Sequence, residues 1–470
     1  MSGGRMTAPR LCAVLLGLFA VLASPVRAGV FDPATFTLAN GMQVVVISNH
    51  RVPIVSHMVW YKVGAADEEP GKSGLAHLLE HLMFKGTPSV PPGEFSKIVA
   101  RNGGRDNAFT SSDYTGYYQN VAVDKLELVM RMEADRMRNL VLDEANFRTE
   151  RDVVLEERRS RTDNNPSALL NEQMEAALYL NSPYHRPIIG WPDEIAALTL
   201  DDALAFYRRW YAPNNAILVV AGDVTPDQVR PLAEKYYGTI ARADTPPRAR
   251  TAEPPHRAER RVTLKDGRVA QPSWSRLYLA PSLGEGAREL AYPLEVLADL
   301  MGEGATSRLY RSLVVEKGVA AAISASYDPV AVGQTTFRLA AMPNPGIALD
   351  KLEAVIEQEL ARIVKDGFSA EEVERAKTRL RAGAAYGRDS LHTGAQTLGQ
   401  ALASGVSVEE VEAWPEHIMA VTPEQVAKAA AALFKPTASV TGLLLPDPSA
   451  GPAVRRAVMP LPGSATKGVH

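Results

Sequence analysis

The sequence of 470 residues contains a single cysteine, Cys12, which lies within an apolar run at residues 11–23. If that segment is removed, the remaining chain has no thiol, which excludes disulfides and thiolate metal ligands. Beyond this run, no apolar stretch reaches the roughly 18 residues of a membrane-spanning helix, so we expect no stable membrane anchor.

Neither sign of charge is in excess. The chain has 51 Lys and Arg against 54 Asp and Glu, a net charge of −3, which gives no electrostatic indication of a nucleic-acid partner. A content of 46% hydrophobic and 22% charged residues is typical of folded globular proteins. Because 470 residues exceed what one hydrophobic core supports, we expect two or more domains.

Residues 1–28 have the composition of a signal peptide. Arg5 and Arg10 precede the apolar run, and Val26-Arg27-Ala28 offers small residues at a cleavage site. We expect cleavage after Ala28 and a periplasmic or secreted protein. No acidic residue precedes Asp32, which also fits a mitochondrial presequence, but the unbroken apolar run favours export.

The sequence after residue 28 contains an internal repeat. Four short matches recur in the same order at separations of 223 to 226 residues: 38–41 with 264–267, 124–127 with 350–353, 150–151 with 374–375, and 199–213 with 422–436. Such a long period predicts duplicated domains. We place them at 29–240 and 262–455, joined by an extended linker at 241–261 that is rich in Pro, Arg and Ala, with a tail at 456–470.

Strand and helix patterns alternate irregularly within each half. Strand character occurs at 42–47, 54–63 and 110–121, and helical spacing at 125–140, 201–211 and 352–364. We therefore predict an α+β protein made of two homologous α/β sandwich domains, each a mostly antiparallel sheet with helices packed on it.

His77, Glu80 and His81 form an H-x-x-E-H motif, which chance would produce in about one such chain in a hundred. Ser73 is a candidate N-cap of the predicted helix and Gly86 marks its end. Five apolar residues form the buried stripe of this helix: Leu75, Leu78, Leu79, Leu82 and Met83. The two histidines lie one turn apart on another face, where both imidazoles can reach one ion at ~2.0–2.1 Å. The alternative is an ordinary pair of surface histidines.

A carboxylate is the expected third ligand, and residues 147–166 offer candidates. Glu150, Val154 and Glu157 share one face of a predicted helix. Helical periodicity does not choose between Glu156 and Glu157. Four arginines in the same segment also fit a plain solvated helix: Arg151, Arg158, Arg159 and Arg161.

These residues resemble the pitrilysin/insulinase family of metallopeptidases, the inverted zincins. The likeness covers essentially the whole chain after residue 28 and is closest to the branch of mitochondrial processing peptidase and its bacterial relatives. It implies one Zn²⁺ per chain, held by His77, His81 and Glu157, with Glu80 as the catalytic base. It further implies that Glu150, seven residues before the third ligand, orients one of the zinc ligands without binding the metal itself.

The resemblance also implies a peptide-binding strand and a partner. Asn107 and Ala108 match an exposed strand edge that binds extended peptides by strand addition; the alternative is a plain hairpin strand. In the second half we take residues 301–313 as the counterpart of the histidine region. Self-sufficient relatives carry an Arg and a Tyr where this chain has Val314 and Ala321, with Tyr310, Arg311 and Tyr327 out of register.

The resemblance therefore implies a zinc-dependent endopeptidase that cleaves extended peptides. It would be the metal-bearing subunit of a two-subunit enzyme, with a homologous partner supplying the Arg/Tyr pair, or else a homodimer. The alternative is a non-catalytic structural or peptide-binding subunit of the same fold.

Overall fold

A computed structural model describes residues 29–248, 250–302, 304–388 and 390–449. The predicted signal peptide at 1–28 and the predicted tail at 456–470 lie outside these ranges. Of the helices in the described ranges, none combines the length and apolarity needed to cross a bilayer.

The first half is built on a six-stranded sheet with the order β1-β2-β6-β3-β5-β4, in which the pair β2–β6 is parallel and the other pairs are antiparallel. Its strands are β1 (Ala34–Thr37), β2 (Gln43–Ser48), β3 (Ile54–Tyr61), β4 (Arg105–Thr110), β5 (Thr115–Ala122) and β6 (Ala216–Gly222). Its helices are α1 (Leu75–Leu82), α2 (Glu94–Arg101), α3 (Leu126–Asn139), α4 (Glu144–Arg158), α5 (Pro166–Leu178), α6 (Pro192–Ala197), α7 (Leu200–Trp210) and α8 (Pro226–Tyr236).

The second half has a five-stranded sheet with the order β7-β11-β8-β10-β9, in which β7–β11 is the parallel pair. The strands are β7 (Arg260–Asp266), β8 (Ser273–Ala280), β9 (Ala320–Tyr327), β10 (Thr335–Pro343) and β11 (Ser439–Pro446). The helices are α9 (Ala291–Gly302), α10 (Leu349–Asp366), α11 (Ala370–Gly387), α12 (Leu391–Ala403), α13 (Val408–Glu412), α14 (Trp414–Ala420) and α15 (Pro423–Leu433).

The two sheets have the same strand order once β1 is set aside, with β2-β6-β3-β5-β4 matching β7-β11-β8-β10-β9. The predicted fold of two homologous, mostly antiparallel domains is confirmed. Equivalent helices also begin alike, because α7 and α15 each start at a capping box, on Thr199 and Thr422, and lead into β6 and β11. One of the four sequence matches is wrong in register, since residues 38–41 precede β2 whereas 264–267 close β7, its counterpart.

The predicted strands and helices agree with the structure except at one place. The sequence predicts a single strand over residues 110–121, but Thr110 ends β4 and Thr115 begins β5. The intervening turn is closed by the Ser111 amide, which donates to the Tyr114 carbonyl at 2.8 Å. A continuous β pattern cannot distinguish one strand from the two arms of a tight hairpin.

Each half contributes a helix to the sheet of the other half. Helix α5 packs on the second sheet through Leu170, Met174 and Leu178, and α12 packs on the first sheet through Ala395, Leu398 and Leu402. Glycines allow both close approaches, because a Cβ at Gly399 would overlap the Trp60 indole and a Cβ at Gly442 would overlap the Met174 sulfur. The halves therefore share buried apolar packing.

The segment between the halves is packed against both of them. Its described residues before β7 form neither helix nor strand, and the last two residues of the predicted linker already belong to β7. The buried Arg250 guanidinium pairs with Asp67 at 2.6 Å and with Asp113 at 2.7 Å. The Asp113 carboxylate also accepts from the amide of Val332 in the second half. The predicted domain boundaries themselves stay predictions.

Candidate metal centre

Helix α1, which carries the histidine motif, begins at Leu75, and its N-cap is Gly74 and not Ser73. Gly74 has φ +87°, and a Cβ there would lie 2.6 Å from the Ile189 carbonyl, so glycine fits this position. The Ser73 hydroxyl instead accepts from the Trp191 amide at 2.9 Å. The predicted N-cap is therefore wrong, because the Ser73 side chain is engaged by another segment.

The free amides at the start of α1 are satisfied by a side chain from the preceding loop. The buried carboxylate of Glu68 accepts from the amides of Gly74 at 3.2 Å and Ala76 at 2.8 Å. Burial raises the pKa of Glu68 to about 8, although both amide donors act in the opposite direction. Glu68 thus fixes the entry of the helix that carries the motif.

The predicted buried stripe of α1 is confirmed, since all five of its apolar side chains lie in the core of the first half. The helix ends at Leu82 with Met83 as its C-cap, which is earlier than the end that the sequence predicts at Gly86. Gly86 itself adopts φ +101° in the turn that follows. With the stripe buried, the other face of α1 turns His77 and His81 towards α4.

The structure brings His77, His81 and Glu157 together. Glu157 Oε2 lies 3.7 Å from His77 Nε2 and 3.3 Å from His81 Nε2. Ligand atoms around a tetrahedral ion at ~2.0–2.1 Å are about 3.3–3.4 Å apart. The three ligand atoms here lie within 4.8 Å of one another, so small side-chain shifts would bring all of them to a zinc ion. In the part of the chain that the structure describes, they form the one cluster of three such side chains within reach of a common ion.

The pKa values of the two imidazoles are shifted in opposite directions. Burial lowers the pKa of His77 to about 3, with His81 and Arg161 acting in the same direction, so this ring is neutral and able to bind a metal. Burial also opposes protonation of His81, but the carboxylates of Glu150, Glu157 and Glu80 outweigh it and raise the pKa of that ring. A cation at this position is therefore electrostatically favoured.

Glu150 lies behind His81, where it can orient the ring. His81 Nδ1 is 3.2 Å from Glu150 Oε2, and Lys85 Nζ is 2.5 Å from Glu150 Oε1. Burial of Glu150 is outweighed by these two partners, which lower the pKa of its carboxyl group. Lys85 is a site residue that the sequence reasoning missed, although it stands only four residues after His81.

Helix α4 separates the two candidate third ligands. Glu157 faces the histidines, while Glu156 is exposed and pairs with Arg159. Arg161 Nη1 lies 2.7 Å from Glu157 Oε1, leaving Oε2 towards the imidazoles. The alternative of a plain solvated helix does not hold for Arg158, which is buried and pairs with Glu172 of α5 at 2.7 Å.

Glu80 lies on α1 with the two histidines and is half-buried beside the strand β4. Burial raises the pKa of its carboxyl group, although a hydrogen bond from Thr110 lowers it. Thr110 Oγ1 donates to Glu80 Oε2 at 2.5 Å. Nothing in the sequence pattern identified Thr110, because the contact depends on how β4 packs against α1.

Strand β4 is an edge strand, with β5 on one side and no strand on the other among the described residues. Asn107 is exposed and Ala108 is half-buried, paired across the ladder with Tyr118 and Tyr117. Beyond Thr110, the hairpin turn borders a cleft of ≈ 460 Å³ between the halves, which extends to Thr335 and Thr336 of β10. An extended chain laid along β4 would therefore continue towards the second half.

The second half has no equivalent cluster within the described ranges. Its sheet order makes α9 the counterpart of α1, so the assignment of residues 301–313 to that place is wrong by one element. Asp299 of α9 forms an ion pair with Arg379 of α11, the helix equivalent to α4. In the first half, α1 and α4 bring histidines and a carboxylate together, whereas in the second half the equivalent helices α9 and α11 are joined by a salt bridge.

The two positions of the expected Arg/Tyr pair carry no polar side chain. Val314 lies in a π-helical segment, Tyr310–Glu316, where it packs against the core of the second half, and Ala321 is exposed on β9. The nearby Tyr327 is buried, and its hydroxyl donates to the Pro281 carbonyl at 2.6 Å.

Comparison with known sequences gives a consistent result. A family model described as insulinase (peptidase family M16) matches residues 43–191, and one described as the peptidase M16 inactive domain matches residues 197–380. The zinc protease PqqE of Helicobacter pylori is 34% identical over 379 residues, covering 78% of this chain and 84% of the relative. The uncharacterized zinc protease YmxG of Bacillus subtilis is 28% identical over 349 residues, covering 74% and 82%.

Solved structures have the same fold. A protease from Helicobacter pylori superposes with a TM-score of 0.83 at 31% identity, covering 88% of this chain and 99% of that one. The periplasmic protease PqqL of Escherichia coli gives a TM-score of 0.73 at 20% identity and covers 92% of this chain, which spans 51% of PqqL. The family models, the identity to PqqE and the shared fold all agree, and the chain therefore belongs to the M16 (pitrilysin/insulinase) family of peptidases.

Proposed function

We propose that this protein is a zinc-dependent endopeptidase in which His77, His81 and Glu157 hold one Zn²⁺. The observation that carries the proposal is the spacing of their three ligand atoms, with Oε2 of Glu157 3.7 Å and 3.3 Å from the two imidazole nitrogens. Two neutral nitrogens and one carboxylate are the ligand set of many catalytic zinc sites, which keep a further position for water.

Different side chains of the protein carry out different parts of the reaction. Zinc bound at such a site lowers the pKa of its water towards ~7 and polarises the scissile carbonyl. Glu80 accepts the proton of the attacking water and delivers it to the leaving amine. Its raised pKa, caused by burial, suits a group that both accepts and returns a proton. Glu150 holds His81 in the orientation that points Nε2 at Glu157.

The substrate is an extended peptide that adds to β4 as a further strand. The open edge at Asn107 and Ala108 offers main-chain hydrogen bonds, which bind peptides with little side-chain selectivity. The cleft at residues 111–114, just after β4, gives a peptide laid along this strand room to continue towards the second half.

A partner subunit supplies the Arg/Tyr pair that Val314 and Ala321 cannot provide. The PqqL chain, which has the same fold over half of its length, supports an enzyme built from two such units. A homologous partner carrying the pair is the form we favour, and a homodimer is the alternative. PqqL is described as periplasmic, which supports the same location for this chain after removal of residues 1–28.

The decisive experiment is cleavage of a quenched fluorescent peptide library by residues 29–470, with zinc and with a chelator. Chelator-sensitive cleavage by the chain alone would establish a metallopeptidase that needs no partner. One bound zinc without cleavage would call for repeating the assay with a homologous subunit that carries the Arg/Tyr pair. No zinc binding at all would contradict the proposal and favour a structural or peptide-binding subunit. Glu80→Gln is the matched control, because it should hold zinc yet remain inactive.

A further inference from the structure

Glu80 has one hydrogen-bond partner in the part of the chain that the structure describes. That partner is Thr110, whose Oγ1 lies 2.5 Å from Glu80 Oε2. A threonine hydroxyl has a single proton, so donating it to the carboxylate fixes the direction of the bond. The other carboxylate oxygen, Oε1, is left for a different partner.

The neighbouring threonine in the hairpin shows that this contact is particular to Thr110. Thr115 lies directly opposite Thr110 in the ladder between β4 and β5. Its hydroxyl donates instead to the main-chain carbonyl of Val63 at 3.0 Å. Two opposed threonines thus serve different groups, one a backbone carbonyl and the other the carboxylate of the motif.

Anchoring of α1 does not require the Thr110 hydroxyl. The helix already buries five side chains, and the Glu68 carboxylate satisfies its first amides. One hydrogen bond, even one to a carboxylate, adds little to packing of this extent. What the bond does determine is the rotamer of Glu80, since a carboxylate on a flexible side chain has several orientations of similar energy.

We propose that Thr110 is a positioning residue for peptide hydrolysis, which holds one oxygen of Glu80 so that the other faces the reacting water. The inference rests on the proposed role of Glu80 as the base. Because side chains alternate along a strand, Ala108 and Thr110 point to the same side of β4. The strand that would bind the peptide, β4, therefore also carries the residue that orients the base, Glu80. The register of the peptide on β4 then determines which amide lies at the reacting centre.

The test uses Thr110→Val, which keeps the shape and removes the hydroxyl, and Thr110→Ser, which keeps the hydroxyl. Thr115→Val is the matched control, because it removes the opposite hydroxyl without touching Glu80. Thr110→Ala replaces the valine variant if that protein fails to fold. Crystal structures of the zinc-loaded proteins report the orientation of Glu80, and kinetics on one cleaved peptide report kcat and KM separately.

We expect Thr110→Val to turn the Glu80 carboxylate away from its present position and to lower kcat about 10–100-fold. KM should change less than about twofold, zinc content should stay at one per chain, and Thr110→Ser should restore most of the rate. Thr115→Val should lower stability without this loss of kcat.

Two results would overturn the inference. One is an unmoved Glu80 in the crystals of Thr110→Val, and the other is an equal loss of kcat in Thr115→Val. If the wild-type protein cleaves no peptide even with a partner subunit, the proposed function fails. The crystal structures then still decide whether Thr110 holds Glu80.

Discussion

Two residues of the candidate site, His81 and Glu80, are each held by a second residue from elsewhere in the fold. His81 is backed by Glu150, and Glu80 is bonded to Thr110. Such pairs fix side-chain direction, which decides whether an imidazole or a carboxylate can act at a common point. The chemistry of the site thus depends on contacts between elements as much as on the motif itself.

The sequence predicts these residues unequally. His77 and His81 could be identified because both stand on one helix, where spacing alone determines that they share a face. Glu157 comes from another helix, and helical periodicity does not distinguish it from Glu156 as the third ligand. Only the spacing known from the family selects Glu157. Lys85 gave no signal, because its role depends on the approach of α4, which no local pattern encodes.

Lys85 offers a test of how far this support extends. Its ammonium lies 2.5 Å from Glu150, whose other oxygen contacts His81. We expect Lys85→Met to loosen Glu150 and weaken zinc binding by up to about tenfold. Competition with a chromophoric chelator measures the affinity. Lys97→Met is the control, since Lys97 pairs with Glu94 on the distant α2, and equal affinities in both variants would contradict the prediction.

Glu295 makes stability depend on pH. It is 5% exposed, the Trp414 indole donates to both of its oxygens, and burial raises its pKa to about 8 from 4.5. Between these values the folded protein holds a proton that the unfolded chain has released. The free energy of unfolding therefore falls as pH rises through this window, by about 5 kcal/mol in all.

Glu295→Gln should remove this part of the pH dependence. Urea unfolding of the wild type and the variant at pH 5, 7 and 9 measures the difference. The exposed Glu289→Gln is the control. Parallel stability curves for wild type and Glu295→Gln would show that burial of Glu295 does not favour the protonated form.

At the scale of elements, the exchange of helices between the halves could not be predicted from the sequence. The pattern of α12 indicates an amphipathic helix but not which sheet it covers. Its apolar face packs on Trp60 and Val219 of the first sheet, across the domain boundary. The sequence predicts one strand where β4 and β5 form a hairpin for a similar reason, because the turn is stabilised by main-chain hydrogen bonding that side-chain patterns do not reveal.

Gly399 tests the close approach of α12 to the first sheet. A Cβ there would overlap the indole of the fully buried Trp60. We expect Gly399→Ala to destabilise the protein by about 1–3 kcal/mol, since a packed core resists an added methyl group. Gly383→Ala is the control on α11, where a Cβ meets nothing within 4 Å, and it should stabilise slightly. Equal and favourable effects in urea unfolding would refute the close packing.

At the scale of the whole molecule, duplication has produced two halves with different tasks. The first half keeps the histidine helix and its carboxylate helix, whereas the second half joins the equivalent helices through Asp299 and Arg379. Two sheets covered by each other's helices hold the site in a fixed relation to the cleft between them. The strand order supports this duplication more strongly than the sequence matches, of which one was out of register.

Arg250 connects the halves, and its removal should weaken the whole molecule. It is a buried cation between Asp67 and Asp113, and Asp113 also accepts from Val332 of the second half. We expect Arg250→Met to lower the free energy of unfolding by about 3–5 kcal/mol, because it leaves two buried carboxylates without their cation. Since the carboxylates lie where both halves meet, the loss should affect both halves together, which differential scanning calorimetry and hydrogen exchange measure.

The exposed Arg257→Met in the same segment is the control and should change little. Destabilisation confined to one half would mean that the buried apolar interface joins the halves without help from this ion cluster.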